Sequence, residues 1–314
     1  MPEPASDLTP PGAPAALTLV TDAAEGLAVE SRGQLRLALE RFAHHRLAVA
    51  GLLVFAFLVL LSTIGPVFWQ YSYSAITGQF ASGPSARHPF GTDLIGHDLF
   101  AQVMEAEATS VKTAALVAVI ATTVGTVIGA TAGYYGKFAD VLLMRFTDLI
   151  LAVPLLAVLL VLANKLSKQA GSWLWIAIIL GLLLWTTLAR QVRGAFLSLR
   201  EREFIEAEHA IGASDQRIIF RHLIPNAVGP IVVSATLTVA LALLIEAVLS
   251  FLGLGIQPPE VSLGSLINSG QDAATSLPWL FFFPSGFLVI TILSINFIGD
   301  GLRDALDPTQ RAHR

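Results

Sequence analysis

The sequence predicts an all-α polytopic membrane protein that crosses the bilayer six times. Three observations predict it. Of the 314 residues, 54% are hydrophobic and only 13% are charged, with a mean hydropathy of +0.68; a soluble domain carries about 25% charged residues. Six charge-poor stretches reach the roughly 20 residues a helix needs to cross the hydrocarbon core. Arginines gather in alternate connections between those stretches, as they do in multi-span proteins. The stretches are too long and too evenly apolar for barrel strands, which alternate over about ten residues.

The chain divides as follows. Residues 1–40 are rich in Pro and Ala with scattered acids and lack the basic-then-apolar order of a cleaved signal, so they read as a disordered cytoplasmic tail. Residues 41–70 hold the first transmembrane helix, whose apolar stretch 47–69 closes on Phe68, Trp69 and Tyr71. Aromatic rings of that kind sit at the membrane interface. Residues 71–109 form an extracytoplasmic loop, with a short surface helix expected over 98–109 that carries Phe100 and Val103 on one side. Residues 110–310 form a five-helix core with spans at 111–135, 140–163, 172–191, 227–252 and 280–299, and 311–314 are a C-terminal tail.

Polar residues inside these spans each carry a reading. Arg145 and Asp148 are spaced i, i+3, which allows a pair on one helical face near the span's end. Pro154 kinks the same span. Glu246 lies near the outer end of the fifth, where a structural hydrogen bond and a vestibule role are both open. Gly125, Gly129 and Gly133 form a repeated G-x-x-x-G stripe, the pattern of close helix packing, here expected against a partner's helix.

The arginines set the orientation. Arg32, Arg36, Arg41 and Arg46 precede the first span. Arg190, Arg193, Arg200, Arg202, Arg217 and Arg221 lie between the fourth and fifth, and Arg303, Arg311 and Arg314 follow the sixth. The 71–109 loop has only Arg87 and the 253–279 loop has no basic residue, while Lys165 and Lys168 dissent. The balance puts both termini and residues 190–226 in the cytoplasm.

Several function classes drop out. A net charge of −4 gives no footprint for nucleic acid. Without cysteine there are no disulfides and no thiolate metal sites. His88, His97 and Asp98 lack a fourth ligand at metal spacing, so no metal is expected. No phosphate-binding loop occurs, since Gly136-Lys137 is followed by Phe138 without the upstream glycine. No nucleophile–base pair lies in the spans, so no catalytic residue is expected. An ion-driven secondary transporter would show charged, broken helices at mid-membrane or internal repeats, neither of which is evident.

Residues 198–226 are the polar exception. Glu206, Ala207 and Glu208 sit among good helix formers, and Gly212 ends that helix. Ser214 or Asp215 caps a second helix through Ile218, Ile219 and Phe220, which Pro225 stops before the next span. A rigid polar hairpin of this kind is a surface that another protein can push or pull.

This segment resembles the EAA loop of permease subunits of ATP-binding cassette importers. Glu206, Ala207, Gly212, Ile224 and Pro225 match that pattern, while Glu208 stands where a second Ala is usual and His222 where Ile is common. Residues 88–98 (HPFGTDLIGHD) resemble a box of the dipeptide and oligopeptide importers, with His97 replacing an Arg. Residues 249–259 and 299–308 resemble two further boxes of the same family, and 41–51 the entry segment of its C-type permease. The resemblance covers about residues 40 to 310. It implies a type I importer permease arrangement with a cytoplasmic coupling hairpin, in a bacterial inner membrane. It implies an ATPase-coupling role for Glu206, Ala207, Glu208, Gly212, Ala213, Ser214 and Pro225. It further implies a second permease subunit, two ATPase subunits that hold ATP and Mg, an extracytoplasmic solute-binding protein and a peptide substrate. Relatives with similar boxes carry nickel complexes, glutathione or haem.

Overall fold

The computed structural model describes residues 34–306 apart from 156, 160 and 162–171. The tail before residue 34, the Lys165 and Lys168 loop and residues 311–314 therefore lie outside the described residues. The described chain is helical, and its only strand-like features are isolated bridges from Ile76 to His97 and from Thr92 to Asp98. In order, the helices are α1 (Gln34–His44), α2 (Arg46–Phe68), α3 (Leu99–Tyr135), α4 (Lys137–Ala152), α5 (Trp173–Arg200), α6 (Glu203–Ala210), α7 (Asp215–Phe251), α8 (Leu263–Gln271) and α9 (Trp279–Leu306). Five of them, α2, α3, α5, α7 and α9, are long and apolar enough to cross a membrane.

The stretch expected at 140–163 is the one not in that set. Its helix α4 has 16 residues, which at 1.5 Å each is about 24 Å. Pro154 has no N–H to continue the ladder, and Val153 turns extended and donates to Ile150 O instead. Residues 155, 157–159 and 161 are helical again, and 162–163 lie outside the described residues.

Two expected boundaries move. Residues 34–40, assigned to the tail, belong to α1, an amphipathic helix that ends where His45 caps α2 by accepting from Ala48 N at 3.1 Å. The ring of Phe42 lies over Gly301 of α9, which gives α1 a seat that composition alone does not reveal. The short surface helix expected at 98–109 is instead the first three turns of α3, and it is buried through Leu99, Val103, Met104 and Ala106. Glu107 is enclosed and accepts from Thr291 of α9 at 2.8 Å.

The bundle is built around α3 and α5. A Cβ on Gly125 would lie 2.8 Å from Trp185 O, one on Gly129 would overlap Ala189 O, and one on Gly133 would lie 2.6 Å from Phe196 Cβ. From the other side, a Cβ on Gly181 would lie 2.7 Å from Ile120 Cβ. The glycine stripe therefore seats α5 of the same chain, not the partner's helix that the sequence suggested. The motif specifies a close neighbour, and α5 is the neighbour that fills it. Apolar cores follow along the bundle: Phe90, Leu99, Val103 and Phe283 at one end, Val117, Leu180 and Leu243 in the middle, and Phe196, Ile205 and Leu223 at the other.

The 71–98 segment folds as a cap over the first of these ends. Asp98 is fully buried, faces His88 Nδ1 at 2.7 Å, and accepts from Trp69 Nε1 and from Ala101 N, the last as the N-cap of α3. Tyr71 stacks on His88, and Phe90 stacks on Phe283 with centroids 4.1 Å apart. Asp93 binds the backbone N–H groups of Ile95 and His97 and faces the His97 ring. These histidines and aspartates engage one another and position the cap on α3.

Candidate functional site

At the opposite end, α6 projects from the bundle as a short knob. Ile205 is its anchor: it is fully buried among Phe196 of α5 and Ile218, Leu223 and Ala227 of α7. Glu206 and Ala207 face outward, as do Ile211, 77% exposed, and Phe220, 70% exposed. Charged and apolar groups thus share the outer face, which suits a protein partner better than bulk water.

The knob ends in a tight cap. Gly212 has φ +80°, a backbone conformation that a Cβ disfavours. Its N–H reaches His209 O and the N–H of Ala213 reaches Glu208 O, closing the last turn of α6 with a paired 5→2 and 6→1 motif. Ser214 then caps α7, accepting from Arg217 N, and Ala213 is half-buried against the inner core. Gly212 and Ser214 therefore make the turn rigid rather than floppy.

Pro225 behaves differently from expectation. It does not stop the second helix. Residues Ile218–Leu223 form a wide π-helical turn in which Ile224 N reaches Ile219 O, and α7 runs on through Pro225 to Phe251. A widened turn accommodates a ring that removes one ladder donor, so the helix survives. The hairpin's second arm and the next long helix are consequently one body.

A polar belt joins the knob to the rest. Tyr134 at the end of α3 donates to Asp215 at 2.8 Å and lies over the His209 ring. Arg200 donates to the carbonyls of Gly133 and Tyr134. Between them opens a shallow cavity of about 410 Å³ lined by Tyr134, Tyr135, Arg200, Glu201, Glu206 and His209. Helix α4 is clipped to α5 by a two-armed Arg193–Asp140 pair and by Arg190–Asp148 at 2.5 Å. Asp148 thus pairs with α5 and not with Arg145, because the neighbouring helix offers a guanidinium in direct reach. Neither the Ile205 anchor nor the Tyr134–Asp215 contact was read from sequence; the apolar spacing of Ile218, Ile219 and Leu223 was the available signal for the first.

A second feature lies beside the α4 break. A groove of about 590 Å³ runs between α4, α5 and α7. Its walls are mainly aliphatic, but Thr186, Thr187, Gln191, Ser234 and Thr238 line it too, with Ser234 donating to Gln191. None of its lining residues is charged.

The comparison with known proteins decides the family. The profile of the binding-protein-dependent transport system inner membrane component family matches residues 125–312. The chain belongs to that family. A second profile, the N-terminal transmembrane domain of oligopeptide transport permease C, matches residues 33–86 of this inner-membrane component, the region of α1, α2 and part of the cap. Among its relatives is an oligopeptide transport system permease protein OppC of Mycobacterium tuberculosis, 40% identical over 279 residues, 88% of this chain and 96% of that one. A putative peptide permease protein of Brucella suis is 41% identical over 282 residues, covering 88% and 92%. OppC of Bacillus subtilis is 37% identical over 289 residues, covering 92% and 94%. The knob on α6 and the groove beside the α4 break both fall within the larger matched region.

Proposed function

We propose that the chain is a permease subunit of an ATP-binding cassette importer and forms half of a translocation channel for di- or oligopeptides. The observation that carries the reading is the anchored knob: an exposed face on α6, closed by Gly212 and rooted through Ile205 in α5 and α7. The names of the relatives support the peptide cargo. In this reading Glu206, Ala207, Gly212, Ala213 and Ser214 meet separate ATPase subunits that hold ATP and Mg, while Pro225 lies in the arm that carries the motion inward. A second permease completes the channel, and an extracytoplasmic binding protein delivers the peptide to the capped end. The chain itself does no chemistry. The arginine distribution supports both termini and the knob lying in the cytoplasm. The helical turns after Pro154 support a sixth, interrupted span.

The mechanism follows from linkage. ATPase closure can move the channel only if the ATPases bind one channel state more tightly than the other. The knob is the body through which that preference passes. Gly212→Asp puts a side chain on a left-handed residue and opens the α6 cap. In the assembled transporter this variant is expected to keep ATP hydrolysis and to lose most uptake of a radiolabelled oligopeptide. Wild-type uptake would sink the coupling assignment. Competition of that uptake by nickel complexes, glutathione or haem, rather than by unlabelled peptide, would change the cargo.

The groove beside Pro154 supports a place on the peptide's path. Polar side chains on a membrane helix favour protein or water over lipid, and interrupted backbone at membrane depth is tolerated where it lines a wet cavity or is buried in protein. The chain has no cysteine, so single cysteines report cleanly. Ser234→Cys is expected to react with a charged maleimide and Leu293→Cys, on α9, to resist it. Equal resistance at both positions would place the groove against lipid or the second permease.

A further inference from the structure

The structure brings Glu208 of α6 and His222 of α7 together across the hairpin. His222 Nε2 lies 3.2 Å from Glu208 Oε1. Both side chains are turned inward, at 19% exposure for Glu208 and 24% for His222. Glu208 therefore adds no second carboxylate to the outward face, which keeps Glu206 alone of the two. Glu208 Oε2 and His222 Nε2 are both sealed from solvent, and neither forms a hydrogen bond among the described residues, so each faces the other as its nearest polar group. Polar atoms enclosed in this way rely on each other, since a buried polar atom left without its neighbour is costly.

The placement gives the pair a mechanical meaning. Ile205 and Glu208 are three residues apart and share the inner face of α6. Ile205 is held by apolar packing, which is non-directional and lets a short helix roll. Glu208 meets the His222 imidazole, a polar ring at a set position on the π-helical turn of α7. Beside the Ile205 anchor and the Tyr134–His209 stack, the Glu208–His222 contact ties the inner face of α6 directly to α7. We infer that Glu208 and His222 are positioning residues that lock α6 to α7, so that a push on the outer face of α6 turns α7 instead of being absorbed within the hairpin. The consequence for uptake rests on the importer reading above; the lock itself does not.

The test is an exchange of the two groups in the complete transporter, purified with its ATPases and binding protein. Glu208→His sets two imidazoles face to face, His222→Glu sets two carboxylates face to face, and the double variant E208H/H222E restores an opposite pair in reverse. The readout is peptide taken up per ATP hydrolysed, with the amount of assembled complex measured alongside. Each single variant is expected to lower the ratio about fivefold or more, and the exchanged pair to recover most of it, as coupled neighbours do. Singles that keep the native ratio, or a double variant whose loss is the sum of the two singles, would overturn the lock. If a single variant fails to assemble, Glu208→Gln keeps the shape and removes the charge, and a native ratio in that variant also overturns it. Failure of the importer reading looks different: the native complex itself would then show no peptide uptake driven by ATP.

Discussion

Gly129→Leu is expected to force α3 and α5 apart and to leave little folded chain in the membrane. A Cβ at this position already overlaps the carbonyl oxygen of Ala189 and lies 2.9 Å from Val192 Cβ. Backbone cannot rotate away as a flexible side chain can. Either the two helices separate, which also strips the packing at Gly125 and Gly133, or α5 shifts along its axis. Overpacking of a tight core costs about 3 kcal/mol, a large share of the total stability of most domains. The measurement is the thermal unfolding midpoint of the purified chain in mild detergent, together with its membrane abundance. Gly194→Ala, also on α5, is the control, because a Cβ there meets nothing within 4 Å. Comparable midpoints for the two variants would mean that the α3–α5 seam is looser than described.

Glu246→Ala is expected to be the second severe lesion. The carboxylate is fully buried and accepts from Ser110 of α3 at 2.9 Å and from Ser250, one turn on in α7, at 2.7 Å. Those hydroxyls are in turn acceptors: Ser250 takes the N–H of Ile256, and Ser110 takes that of Leu263 at the start of α8. One side chain therefore organises α3, α7, the loop from α7 to α8 and the start of α8. Alanine leaves two buried hydroxyls without their acceptor and a cavity in their midst, at a cost of about 3 kcal/mol. Glu246→Gln keeps an acceptor and a similar shape and is expected to retain most of the stability. An alanine variant that unfolds at the native temperature would dismiss the hub. Of the two roles the sequence left open for Glu246, its enclosure favours the structural one.

Both sites mark what a sequence can and cannot carry. The five long apolar helices were legible because length and the lack of charge suffice to define them. Gly212 was legible as a helix end because its chemistry is local: one residue must take positive φ. The burial of the start of α3 was not legible, because Glu107 finds its partner Thr291 at a distance of 184 residues. The glycine stripe announced a close neighbour without naming it, since α5 and a partner's helix make the same demand on Gly129. Arg145 and Asp148 are spaced so that a pair on one helical face is allowed, yet Asp148 pairs with Arg190 of the neighbouring helix. Glu208 looked like surface charge because inward and outward residues of an eight-residue helix are distinguished only by knowing that Ile205 is the anchor.

Helix α3 has a consequence for communication across the membrane. Its 37 residues contain no proline and span about 55 Å, nearly twice the hydrocarbon thickness. At its first residue it is pinned to the cap through Asp98, and at its last turn to the knob through Tyr134 and Asp215. It is thus a single stiff lever whose two tips touch the two surfaces on which other proteins would act. A displacement imposed at either tip arrives at the other without crossing a loop. On the importer reading proposed above, docking outside and nucleotide-driven closure inside would be felt by the same rod, and a proline introduced midway, away from both surfaces, would deafen each side to the other.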